Sequence, residues 1–271
     1  LVIEPIMAAM GTKDPEVEAM ALLYMRVYLA GLPILFLYDF EAAIMRSQGD
    51  TRTPLIALTI SGMVNVGLNL LFVLVLGMDV DGVASATVIS SAVSSIILLW
   101  CLTHSDSVIR VNLRELAIDW PSLKRILIVG LPAGIQGALF SVSNVIVQAA
   151  VNSLDTAVMA GNSAANNIDA FSWYSLNAFG QACTTFVGQN NGARRPDRCL
   201  RTLKICFIEG YTAYAILTTI LLLFSRQLLS IFSTDPAVID AGQLRIHFIL
   251  ATHLFTMVVE IMSGYLRGYG W

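Results

Sequence analysis

Polar and ionisable residues in this chain gather into short clusters that punctuate long apolar runs. Residues 53–78, 82–103, 126–154 and 170–193 contain no Asp, Glu, Lys, Arg or His. Residues 205–224 contain only Glu209, and residues 246–266 only His247, His253 and Glu260. Residues 17–48 are apolar apart from Glu18, Arg26, Asp39, Glu41 and Arg46, with Pro33 near the middle. The hydrocarbon core of a bilayer is about 30 Å thick, which a helix crosses in about 20 mostly apolar residues. Runs of this length and number exceed what the interior of a soluble domain can take up. They predict seven membrane-spanning helices, the fifth beginning near Thr156, and the end of a further helix at residues 1–10. The expected fold class is therefore all-α, a polytopic membrane protein.

Composition agrees. Hydrophobic residues are 56% of the 271 and charged residues 13%, against about 25% charged in soluble domains. Lys and Arg number 16 and Asp and Glu 19, so no basic excess is available for nucleic acid. Where the basic residues fall is more informative. Arg46, Arg52, Arg110, Arg114, Lys124, Arg125, Arg194, Arg195, Arg198, Arg201, Lys204 and Arg267 occupy one alternate set of connections. Only Lys13, Arg26, Arg226 and Arg245 belong to the other set. The positive-inside rule makes the first set cytoplasmic and turns residues 11–18, 77–82, 153–161 and 226–245 outward, as in a multi-pass protein of the cell membrane.

Residues 104–125 form the one long polar connection and read as an amphipathic linker on the cytoplasmic surface. It separates a first bundle, residues 1–103, from a second, residues 126–271. Cys101, Cys183, Cys199 and Cys206 lie in or beside apolar runs without a C-x-x-C pair and read as buried small hydrophobes. His104, His247 and His253 lack metal-ligand spacing, so neither a metal nor a cofactor is expected. No Walker-type motif is present, which removes ATP as a direct energy source. The chain opens on Leu1 and stops at Gly270-Trp271, and both ends read as cut from a longer polypeptide.

A weak internal repeat fits the two bundles. At an offset of 221 residues, Asp14-Pro15 falls on Asp235-Pro236, Val17 on Val238, Asp39 on Glu260, Arg46 on Arg267 and Gly49 on Gly270. The matched helices stand an even number of spans apart, so the repeat is parallel, one of two arrangements common in secondary transporters.

Five segments taken in order carry a resemblance. They are Arg46-Ser-Gln-Gly-Asp-Thr-Arg-Thr-Pro54, Asn65-Val-Gly-Leu-Asn69, Gly82-Val-Ala-Ser-Ala-Thr87, Gly130-Leu-Pro132 and Val187-Gly-Gln-Asn-Asn-Gly-Ala193. As a set covering nearly the whole chain, they resemble the multidrug and toxic compound extrusion (MATE) family of the MOP flippase superfamily. The resemblance implies twelve helices in two six-helix lobes, with this chain running from the end of the third helix to the tenth. On that template the repeat pairs the fourth helix with the tenth. It also implies a transporter acting as a monomer in the bilayer.

Asn65 and Asn69 are four residues apart and share one helix face. Amide oxygens there suit a hard cation, or equally serve as interhelical hydrogen bonds worth about 0.6 kcal/mol each. By the resemblance they match the family's Asn-x-x-Leu-Asp ion site, which Thr87 joins. Asn69 stands where the family often has Asp, and the family's first-helix acid lies outside this chain. Asp39, Glu41 and Glu260 are carboxylates within spans, costing roughly 2.5–3.5 kcal/mol on insertion scales. Arg46 follows Asp39, and Arg267 follows Glu260, by the same two-turn step. Gate or interface anchor is one reading of these five residues, and proton coupling or drug binding the other.

Asp169 is followed by Phe171, Trp173 and Tyr174. An acid among aromatics suits a lipophilic cation, through charge pairing and cation–π attraction together, although hydrogen bonding within the bundle would also account for it. Gln181 lies three turns further along a similar face. The fourth span holds Gln136, Asn144 and other uncharged polar residues, candidates for lining a cavity or for helix–helix hydrogen bonds. Some members of the resembled family carry a coupling Glu on this helix at the register of Phe140, so that route is not expected here.

The combined expectation is an H+- or Na+-coupled antiporter exporting cationic or amphipathic drugs, and not an enzyme. A lipid-linked saccharide flippase of the same superfamily is the alternative that a basic cavity would favour, but nearly all Lys and Arg fall in loops or at helix ends. A membrane-embedded prenyl transferase would need a D-D-x-x-D cluster, and none occurs.

Overall fold

The computed structural model describes the backbone of residues 15–105 and 108–271, and the side chains of residues 19–105 and 108–271. The helix end expected at residues 1–10, together with Lys13 and Asp14, lies outside the described residues. Among the described residues the structure is helical and contains no strand. Seven long helices run in order: α1 Pro15–Ser47, α2 Arg52–Asn69, α3 Val80–Thr103, α4 Trp120–Asn152, α5 Thr156–Gly192, α6 Pro196–Leu223 and, after the short α7 Ser225–Ser230, α8 Pro236–Tyr269. Six of them are long and apolar enough to cross a membrane. The exception, α5, is 37 residues long but carries Asn, Ser, Thr and Gln along its length, which lowers its mean hydropathy. The fifth expected span therefore exists as a helix that composition alone does not mark as apolar.

Helix starts reach beyond the apolar runs because capping residues set them. Asp119 accepts a hydrogen bond from the Ser122 N–H at 3.1 Å, and α4 begins at Trp120, six residues before its charge-free run. Asp235 accepts from the Ala237 N–H at 2.9 Å, with Pro236 in a first turn that needs no N–H from it. Lys124, Arg125 and Arg245 consequently ride on helices, and Arg198, Arg201 and Lys204 ride on α6, which opens at Pro196 without a side-chain cap. The polar connection has two parts. Residues 108–119 are turns and irregular backbone, and the rest of the predicted amphipathic segment is the start of α4. Helix α2 continues past Asn69 as a π-helical turn, Leu70–Val75, where the Leu76 N–H reaches back five residues to the Leu71 carbonyl at 3.0 Å.

The chain divides into two compact units, residues 1–117 and 118–271, with the boundary inside the predicted linker. In the first unit α3 packs on α1 and α2, closing a small core of Ala42, Met45, Ala57, Leu98 and Leu102. In the second, α5 and α8 form the central pair. One end of their core holds Ile168, Leu229, Ile246 and Leu250, and the other Leu176, Val187, Met257 and Ile261. Small residues let the two backbones meet: a β-carbon on Gly161 would stand 2.6 Å from the Val238 carbonyl oxygen, and one on Gly264 would clash with the Gly180 carbonyl. Such small-residue seams are how membrane helices gain van der Waals contact where lipid supplies no hydrophobic drive. Large apolar side chains outside the cores, Leu74, Ile208 and Phe255 among them, point outward, as a lipid-facing surface requires. All four cysteines are free, three of them buried.

The repeat is visible in the backbone. The residues opening α1 and α8, Pro15 and Pro236, stand 221 apart, and so do the glycines that follow the two helices. Gly49 has φ 85° and Gly270 φ 87°, both left-handed. Gly49 N–H bonds the Arg46 carbonyl at 2.9 Å and Asp50 N–H that of Met45 at 3.2 Å. Gly270 N–H bonds Arg267 at 3.0 Å and Trp271 N–H bonds Leu266 at 3.1 Å. These are two Schellman caps with partner-for-partner equivalence.

Candidate functional site

In the second unit a cavity of about 490 Å³ opens among α4, α5 and α8. Two polar stripes create it. On α5, Asn162, Asn166, Asp169 and Trp173 recur at steps of three and four and so share one face. On α8, Arg245, Ile249 and His253 recur at steps of four. Where the stripes meet, Asp169 Oδ1 and His253 Nδ1 stand 3.6 Å apart, with side chains 13% and 7% exposed. That separation is a charge contact rather than a hydrogen bond, and neither atom has a hydrogen-bond partner. Arg245 donates to the side-chain oxygens of Asn162 and Asn166, while its Nε is buried and unpartnered. The imidazole of His253 lies between two aromatic rings, Trp173 at 6.5 Å and Tyr214 edge-on at 6.3 Å.

Three of the sequence-predicted substrate residues meet here: Asp169, Trp173 and Asn144. Phe140 lines the same cavity. Gln136 lies apart from it, accepting a hydrogen bond from Arg267 at 3.2 Å, and Gln181 is exposed. Two residues were not anticipated as site residues. By sequence His253 lacks metal-ligand spacing, and Arg245 belongs to an outer connection. The structure instead puts Arg245 in the third turn of α8, facing the cavity. The signal that could have found them is the four-residue step on α8 opposite the α5 stripe.

In the first unit Asn69 Nδ2 donates to Asn65 Oδ1 at 3.0 Å, and Asn65 Nδ2 donates to Ser90 Oγ at 3.2 Å. The Asn69 Oδ1 is buried and unpartnered, just ahead of the π turn. Thr87 joins the group through its carbonyl, which accepts from Ser90 at 3.0 Å, while its hydroxyl donates within its own helix to Val83. Ser90 is thus the bridging residue that sequence reading missed.

The five gate or anchor candidates separate. Glu41 is buried, accepts from Ser95 at 2.8 Å through one oxygen and leaves the other unpartnered. Asp39 is exposed. Among the described residues no ion pair joins Asp39 to Arg46 or Glu260 to Arg267, since a seven-residue step is roughly 10 Å along a helix. Glu260 is half-buried and packs beside Gly180. Outside the spans, Asp50 accepts from the Thr53 hydroxyl at 2.6 Å and from the N–H groups of Thr53 and Arg52. The Thr53 hydroxyl foremost, then those N–H groups, hold its carboxyl below the usual range.

The MatE family model matches residues 1–71 and 132–271 of the chain. The chain is 28% identical to the probable multidrug resistance protein NorM of Thermotoga maritima, over 95% of its own length and 56% of that protein's. It is 28% identical to the probable multidrug resistance protein YoeA of Bacillus subtilis, over 98% and 58%, and 24% identical to an FAD transporter of Shewanella oneidensis, over 88% and 53%. The chain therefore spans a little over half the length of these relatives. Among solved structures, that of MATE in complex with MaL6 matches with a TM-score of 0.88 at 22% identity, covering 99% of this chain and 61% of that one. A MOP superfamily transporter from Pyrococcus furiosus, described as having a binding pocket of reverse polarity that suggests a different function, matches at 0.87 and 21%, covering 98% and 61%. These likenesses establish the fold, and the proteins matched are transporters rather than enzymes. With the family model matched over more than half of its length, the chain belongs to the MatE family and is a multi-pass membrane protein.

Proposed function

We propose that the full-length protein is an antiporter of the cell membrane that exports cationic or amphipathic compounds in exchange for inward-moving H+ or Na+, through alternating access of two lobes. The observation that carries the reading is the cavity around Asp169. A buried carboxylate beside Trp173 offers a lipophilic cation charge pairing together with cation–π attraction, the latter worth about 2 kcal/mol once water is excluded. Asn144 and Gln148 add hydrogen-bonding groups from the opposite wall, while Gln136 and Gln181 support neighbouring surfaces. The probable multidrug resistance proteins among the relatives support small-molecule export. Asn65, Asn69 and Thr87 are the ion-coupling residues of the first unit, the unpartnered Asn69 oxygen being the free ligand. Asp39, Glu41, Arg46, Glu260 and Arg267 serve as gate or anchor residues. Ion and cargo must favour opposite-facing states, since coupling is a difference in affinity between states.

Arg245 supports a second reading. A guanidinium in the cavity wall suits an anionic or zwitterionic amphipath, and one relative transports FAD. Ethidium efflux from cells expressing the full-length protein, with proton and sodium gradients collapsed separately, discriminates the two. Asp169→Asn should lower efflux roughly tenfold, about 1.4 kcal/mol of recognition, and Arg245→Gln much less. Undiminished ethidium efflux in Asp169→Asn would overturn the cation reading in favour of the anionic one.

A further inference from the structure

Asp169 and His253 are the only acid and imidazole within 4 Å of each other among the described residues, His253 buried and the Asp169 side chain 13% exposed, and their facing atoms have no hydrogen-bond partner. The groups around the pair define its electrostatics. From α5 comes Asp169 itself. From α8 comes Arg245, whose terminal nitrogens are occupied by Asn162 and Asn166 rather than by the carboxylate. From α6 comes Tyr214, whose hydroxyl is committed to the Leu250 carbonyl. From α4 come only uncharged side chains, Asn144 and Gln148. His247 belongs to a separate cavity with Tyr211 and Thr218.

With a neutral imidazole, Asp169 and Arg245 cancel, and the carboxylate edge is open to an incoming cation. With a protonated imidazole the local sum becomes positive, and the nearest cation to Asp169 is the ring 3.6 Å away. The two states exclude each other, because one carboxylate faces either the imidazolium or the cargo.

We propose that His253 and Asp169 form a proton-binding site in the second unit, at which H+ and a cationic substrate compete. Entry of the substrate expels one proton from the imidazole to solvent, and uptake of a proton releases the substrate. H+ is then an exchange ion at this site, and His253 is the residue that senses it. The inference rests on the assignment of the cavity to cationic cargo.

Ethidium binding to the purified full-length protein, followed between about pH 5.5 and 8.5 where histidine titrates, tests it. In the wild type, Kd should weaken about tenfold per pH unit on the acid side, the slope for one competing proton. In weakly buffered solution protons should be released as ethidium binds, the number per ethidium rising toward one as pH falls and vanishing on the alkaline side. His253→Gln should bind ethidium with a nearly flat pH profile, and Asp169→Asn should bind poorly at every pH. A wild-type slope in His253→Gln, binding by the wild type without proton release, or displacement by sodium but not by acid would overturn the proposal. Should His253→Gln fail to fold, the proton-release measurement on the wild type still decides. Failure of the underlying cavity assignment reads differently, as Asp169→Asn binding ethidium like the wild type.

Discussion

Asp50 is held by a hydroxyl and two backbone N–H groups at the entry to α2. Each of these bonds favours the ionised carboxylate, so its pKa is lower in the folded state than in the unfolded chain. Its contribution is present above the unfolded value and is lost as pH falls through the folded one. Thermal unfolding in detergent should therefore show Asp50→Ala less stable by about 1 kcal/mol near neutrality, typical of a lost capping side chain, with the gap narrowing below about pH 4. Single residues differed in how legible they were. Asp169 announced itself, because an acid in an apolar run is conspicuous. Arg245 did not, because it borders the apolar run that starts at Ile246 and reads locally as a loop residue. Its role arises only when Asn162 and Asn166, distant in sequence, accept its N–H groups.

At the scale of helices, the α5–α8 seam depends on small side chains at the contact. Gly264→Leu would place a side chain against the Gly180 carbonyl and the Thr184 hydroxyl. Overpacking of this kind costs about 1–3 kcal/mol, and lower melting temperature and lower yield in detergent should follow. Gly130→Leu, on a helix face with open space around it, should leave both unchanged. The seven long helices and their order were readable from runs with few or no charges, but their lengths were not. Apolar runs stop at the first charge, whereas helices continue to their caps at Asp119 and Asp235. The π turn after Asn69 left no mark in the hydropathy pattern, since it is a change in hydrogen-bond register among uniformly apolar residues.

For the whole molecule, orientation rests on the distribution of Lys and Arg. Arg201 lies in the expected cytoplasmic set, and Thr234 in the connection before α8 on the opposite side. In intact cells a membrane-impermeant maleimide should label Thr234→Cys and should label Arg201→Cys only after permeabilisation. The reverse pattern would invert the topology. The boundary between the two compact units falls at Ala117–Ile118, within the long polar connection, where residues 108–119 are turns and irregular backbone.

The twin caps at Gly49 and Gly270 show which feature of a helix end tolerates change. Side chains at matched positions have diverged, with Asp39 against Glu260, yet both helices end in the same two backbone bonds. A left-handed residue has few substitutes among L-amino acids, whereas one carboxylate can replace another. The place where such a helix stops is therefore harder to vary than the charge it carries: Gly49→Ala or Gly270→Ala should disturb the cap, whereas Asp39→Glu should leave the helix end in place.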